Sequence, residues 1–218
     1  MKDEPKTITR VQTFNIKPSL AATKKLATEL TKFIDDNRLS TDIAGKKYVM
    51  VEGWQFAGSQ LGLVAIPNEA QDISKEGGTE IRYKSSADVI HIATGNLVSR
   101  GFAICSNKET KKKSFDEYAV ASMAQTRAIG KAYRNNLSWL IKMAGFEGTP
   151  REEITDEVVE SMEEDLGKIK ANVFARFKEV GINDSAEMLR VIERATGKQS
   201  IDNADDAMSV LAELRKED

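Results

Sequence analysis

Three cations on one predicted helix are the residues best spaced to do chemistry. Arg127, Lys131 and Arg134 fall at i, i+4 and i+7 of the stretch DEYAVASMAQTRAIGKAYRNNLSWLIKMAG, Asp116 to Gly145. At helical periodicity they share one face. The acids of this stretch, Asp116 and Glu117, lie too far along it to compensate them. Like charges so placed repel by a few tenths of a kcal/mol per pair unless an anion lies opposite. Phosphates would relieve that repulsion, so the stripe reads as a polyanion contact. Lys108, Lys111, Lys112 and Lys113 cluster in the preceding loop, with Arg100 upstream. Contacts of this kind supply salt-dependent affinity without base preference. A solvated exit from a hairpin would carry the same loop lysines.

Other chemistries lack their residues. The chain has one histidine, His91, and one cysteine, Cys105, so no zinc site can be assembled. A hydrolytic triad would need His91 as base, and it reads instead as a strand residue. Cys105 reads as a small apolar core residue, and a lone cysteine excludes an intrachain disulfide. No GxxxxGK[ST] loop or dinucleotide fingerprint is present, which argues against ATP hydrolysis and cofactors. Glu52, Asp72, Glu80 and Asp88 fall on or beside predicted strands, as nuclease carboxylates do. The Glu80 to Lys84 spacing does not match the short carboxylate-x-lysine element of such a site. Trp54, Phe56, Tyr83, Phe115, Tyr118, Tyr133 and Trp139 are the aromatics from which base-stacking platforms could come, although each also suits a core.

The elements that must position these residues follow from periodicity. The Asp116–Gly145 stretch has acids in its first turn, Lys142 in its last and a glycine at its end, so it is a helix. Ala119, Met123, Tyr133, Leu137 and Leu140 form its apolar stripe. Pro18 to Asn37 is an earlier helix, Lys47–Glu52 a β-prone run and Gly53–Gly62 a short helix. Alternation then takes over. Leu63–Ser74, Thr79–Ile92 and Asn96–Ser106 read as three strands, joined by turns at KEGG (75–78) and ATGN (93–96). Pro67 suggests an edge or a bulge. The expected fold is α+β, a three-stranded antiparallel meander covered by the long helix and followed by a small all-α bundle.

Phe146–Arg151 reads as a hinge between residues 1–146 and a C-terminal domain, 147–218. The latter offers an acidic segment Glu152–Asp165, an amphipathic helix Lys168–Val180, a helix N-capped by Ser185 and a last helix Ala204–Leu214. Of 218 residues, 40% are hydrophobic and 30% charged, enough for one sizeable domain plus a small one. The net charge of −2 conceals a division. Residues 1–146 carry 22 Lys+Arg against 15 Asp+Glu, whereas residues 147–218 carry 10 against 19. A basic body with an acidic tail suits a protein that binds DNA with one part and partners with another. The opening MKDEPKTITR lacks an apolar run, and no segment approaches ~18 continuous apolar residues. The expected location is the cytoplasm.

The segments YVMVEGWQFAGSQLG and EYAVASMAQTRAIGKAYRNNLSWLIKMAGFEGTPREE, with the meander between them, resemble phage proteins of the Sak type. These are distantly similar to the single-strand annealing superfamily named after the eukaryotic repair protein Rad fifty-two. The resemblance spans Lys46 to Glu153. It implies ATP-independent annealing of single-stranded DNA in phage recombination, by rings or filaments in the host cytoplasm whose subunits pair sheet edges. Arg127 and Lys131 would line the DNA groove, with Tyr133, Asn135 and Leu137 following in register. Base pairing itself would drive the reaction, at about 1.4 kcal/mol per stacked step. The acidic tail matches nothing in the family by residue. It would recruit a host or phage replication or recombination protein, or compete with DNA for the groove. The alternative from another class is a phage adaptor or inhibitor that acts through the acidic helical tail.

Overall fold

The computed structural model describes residues 19–216 and is α+β, with two antiparallel sheets. Helix α1, Leu20–Asp36, begins where the Ser19 hydroxyl accepts the Ala22 N–H at 3.1 Å. Pro18, expected at its start, lies outside the described residues. Strands β1, Ser40–Ile43, and β2, Lys46–Val49, form a hairpin that the sequence reading missed in its first half. Its turn needs left-handed backbone at Ala44 and Gly45, and Asp42 Oδ1 accepts the Gly45 N–H. Helix α2, Val51–Ser59, then takes residues that looked β-prone. The reason is remote: Glu152 Oε1 accepts the Val51 N–H at 3.0 Å, capping a helix that lacks a local side-chain cap.

The second sheet has four strands, not three. β3, Leu63–Pro67, and β4, Gln71–Asp72, are the predicted Leu63–Ser74 strand broken after Pro67. Both pair with the same edge of β5, Arg82–His91. β6, Leu97–Ser106, pairs with the other edge, with a register shift at Val89/Ile90. The break follows from proline's missing donor and restricted backbone.

Helix α3, Glu117–Met143, crosses the inner face of this sheet, N-capped by Asp116. It lies close because its contact stripe is small: Ala124, Ala128 and Ala132 are fully buried. Gly101 on β6 completes the fit. A Cβ there would sit 2.3 Å from the Ala132 nitrogen and 2.6 Å from the Ala128 carbonyl oxygen. Ser99 Oγ donates to the Ala132 carbonyl, Asn135 Nδ2 donates to that of Arg100, and Tyr83 donates to Glu117. Toward its C-terminal end α3 buries Leu137, Leu140 and Ile141 against Leu30, Ile34 and Trp54. Burial of each such side chain contributes roughly 1.5–3 kcal/mol.

Phe146–Arg151 is packed rather than open. Phe146 and Pro150 are buried, and the Glu147 N–H donates to Lys47 O. A 3-10 turn, Arg151–Glu153, leads into α4, Asp156–Glu179. This one helix runs through Gly167 and joins the acidic segment to the amphipathic helix that the sequence separates. α5, Ser185–Thr196, is capped by Asp184 rather than Ser185. α6, Ala204–Leu214, has the expected bounds. Val173, Phe177, Val191, Val210 and Leu214 make a core separate from that under the sheet. No helix among the described residues is long and apolar enough to cross a membrane.

Candidate nucleic-acid interface

Two of the three cations of the α3 stripe are compensated, contrary to the sequence reading, by acids from other segments. Arg127 is 7% exposed. Its Nη1 and Nη2 donate to the two carboxylate oxygens of Glu109 at 2.8 and 2.7 Å, and its Nε donates to the Glu152 carbonyl at 2.7 Å. Lys112 is buried too and donates to the same Glu109. Burial alone would push the Glu109 carboxyl up. The hydrogen bonds from Arg127 and Lys112 overcome that and hold it at about 2. The Arg127 guanidinium is pushed down by burial and, more strongly, up by Glu109. Arg127 and Lys112 are therefore internal fittings that tie the 107–113 loop and the start of the tail to α3. Arg134 Nη1 donates to Glu153 Oε2 at 2.8 Å.

The other predicted cations lie apart. Lys131 places Nζ 4.9 Å from the centroid of the Phe102 ring. Lys108 and Lys113 are exposed, and Lys108 Nζ reaches Thr79 Oγ1 at 3.4 Å. The Lys111 side chain lies outside the described residues. Arg100 sits opposite Asp88 in the β5–β6 register and binds it through two nitrogens, Nη2 at 2.7 Å from Oδ2. That bond holds the Asp88 carboxyl below its usual range. The nuclease candidates are dispersed: Glu80 accepts from Ser106, and Asp72 accepts the Ser74 N–H. Among the stacking candidates Trp54, Tyr83 and Tyr133 are buried, while Tyr118 and Trp139 are exposed.

The outer face of the four-stranded sheet gathers what the helix does not. Pleating sends Tyr83, Ser85, Ala87 and Val89 toward α3, and sends Arg82, Lys84, Ser86 and Asp88 away from it. On β6 Gly101 must face α3, so Phe102 faces out, 56% exposed and opposite Ser86. Val64, Ile66 and Ile104 lie exposed on the same sheet. Between the broken first row and β6 runs an open trough of about 360 Å³, lined by Asn68, Glu69, Gln71, Lys84, Ser86, Arg100 and Phe102. Arg82 and Lys84 have no ion pair among the described residues. An exposed ring between cations, with amides beside it, can stack a base, neutralise phosphates and accept polar base edges.

Sequence reading missed Phe102, Arg82, Lys84, Asn68 and Gln71. The signal was the period-two run of polar residues at even positions from Arg82 to Asp88. Knowing which face meets α3 also required the Gly101 contact. Comparison of the chain with protein-family models, with curated proteins and with solved structures finds no match.

Proposed function

We propose that this protein binds single-stranded DNA and anneals complementary strands without ATP. The observation that carries the reading is the outer sheet face, where exposed Phe102 stands among Lys84, Arg100 and Lys131 beside an open trough. A long helix across an antiparallel sheet also suits the annealing-type core that the sequence resembles. Among the described residues β6 pairs with β5 alone, and an exposed apolar edge of that length favours pairing with another copy. Self-assembly would set the troughs of successive subunits side by side, and the strand would lie along them with its bases open to a complement.

Anisotropy of a labelled oligothymidylate across a salt series tests this. Each phosphate neutralised contributes a slope of about −0.7 in log K against log salt. Lys84→Ala should flatten the slope by about that amount. Phe102→Ala should weaken binding ~5- to 150-fold, the loss of one base stack of about 1–3 kcal/mol. Absence of binding at low salt would dispose of the reading.

A second reading, an adaptor acting through the tail, is favoured by one feature. An open groove of about 410 Å³ in the C-terminal bundle is lined by Phe174, Met188, Leu189, Ile192 and Ile201, with Phe174 and Leu189 exposed. It is supported instead if Phe174→Asp abolishes activity in cells while oligonucleotide binding is unchanged.

A further inference from the structure

The α3 stripe is covered by the chain's own anions, and the cover is imperfectly made. Segment 151–157 makes two contacts to the stripe and two to neighbouring elements. Glu153 takes Arg134, the Glu152 carbonyl takes Arg127 Nε, Glu152 Oε1 takes the Val51 N–H, and Glu157 Oε1 takes the Thr110 N–H at 3.3 Å. Yet Glu152 Oε2 and Glu153 Oε1 are buried with no donor among the described residues. An ionised carboxylate oxygen taken from water without a partner destabilises the arrangement that holds it. Burial accordingly raises both carboxyls above the usual range, more than the Val51 N–H lowers Glu152 or the neighbouring cations lower Glu153.

We infer that segment 151–157 is a displaceable anionic cover over a second phosphate-binding surface formed by Lys131 and Arg134. This rests on the reading that the chain binds single-stranded nucleic acid. Glu109, which belongs to the 107–113 loop, stays on Arg127 when the cover lifts. Lifting therefore frees Arg134 and one N–H of Arg127, and takes the Glu153 carboxylate away from Lys131, while the loop remains attached to α3. Arg134 is the point of entry, because its side chain is already 30% exposed. A strand offers the same class of acceptor as the glutamates, and phosphates arriving along the stripe replace carboxylates that were poorly satisfied. The glutamates leave for water, where their free oxygens find donors. Lys131 also borders Phe102, so the opened stripe continues the outer-face site around the edge of β6.

The test compares the full chain with E152A/E153A/E157A, in which the covering carboxylates and their acceptor oxygens are removed together. Both are titrated with a labelled 20-mer oligothymidylate over a salt series, with circular dichroism to verify the fold. The variant should bind at least tenfold tighter, with a slope in log K against log salt steeper by about 1.4, two phosphates' worth. Adding Arg134→Ala to the variant should return both quantities toward the parent values. In the parent chain, saturation with oligonucleotide should reduce hydrogen-exchange protection across 151–157. Neutralising Glu160, Glu163 and Glu164, exposed acids of α4, should give a smaller gain. An equal gain there overturns the cover, since it would mark a general charge effect. If the parent binds and the triple variant binds identically, the cover is wrong and the annealing reading survives. If neither binds, both readings fall.

Discussion

Replacing Glu109 with glutamine isolates the buried ion cluster, because the change removes one charge and little volume. In the folded chain that carboxyl titrates at about 2 rather than at 4.5. At 1.36 kcal/mol per decade, the displacement corresponds to ~3 kcal/mol of stability at neutral pH. The Glu109 side chain is only 19% exposed, so solvent screening discounts this little. The sign follows from the depressed value. The contribution is complete above the unfolded pKa near 4.5 and is lost as pH falls through about 2. For a chain of this size, ~3 kcal/mol amounts to roughly 6–12 °C in Tm. E109Q should therefore melt that far below the parent at pH 7, by circular dichroism and by urea titration. The gap should close progressively between pH 4.5 and 2, where the parent carries a neutral carboxyl too. A gap that is absent at pH 7, or one that persists undiminished at pH 2, would refute the claim that Arg127 and Lys112 are held by the Glu109 charge.

Four further outcomes are expected. Gly101→Ala should cost about 1–3 kcal/mol or more in urea titration, since its Cβ would meet backbone of α3 rather than a side chain able to move. Arg127→Met should destabilise the fold by ~3–5 kcal/mol, because Glu109 would be left buried without its main partner, so annealing defects of that variant would be stability defects. Truncation after residue 149 should lower the Tm of the main domain more than truncation after residue 167, by the equivalent of ~1–3 kcal/mol, because only the longer form keeps the Glu152 cap on α2. The raised carboxyls of Glu152 and Glu153 act oppositely to Glu109: their contribution is complete below the ordinary glutamate range and is lost as pH climbs through their folded values. Amide protection factors across 151–157 should fall accordingly as pH rises from that range, and a rise would contradict the burial argument.

Much of this protein was legible in one dimension. Helices near 18–37, 116–145 and 204–214 and the alternating runs of β5 and β6 follow from periodicity and end signals, because these act over three or four residues. Charge division between body and tail was equally plain. Folding alone decided what the charges do. Glu109 and Glu153 reach Arg127 and Arg134 across 18 and 19 residues of chain, and Glu152 caps α2 across 101. A helical wheel contains no term for such partners, so it counted cations already paired with acids as a free groove. The same holds for Phe102, whose direction depends on the backbone contact at Gly101. Spacing along a chain sets which side chains share a face; whether that face meets water, an acid or another layer depends on segments distant in sequence.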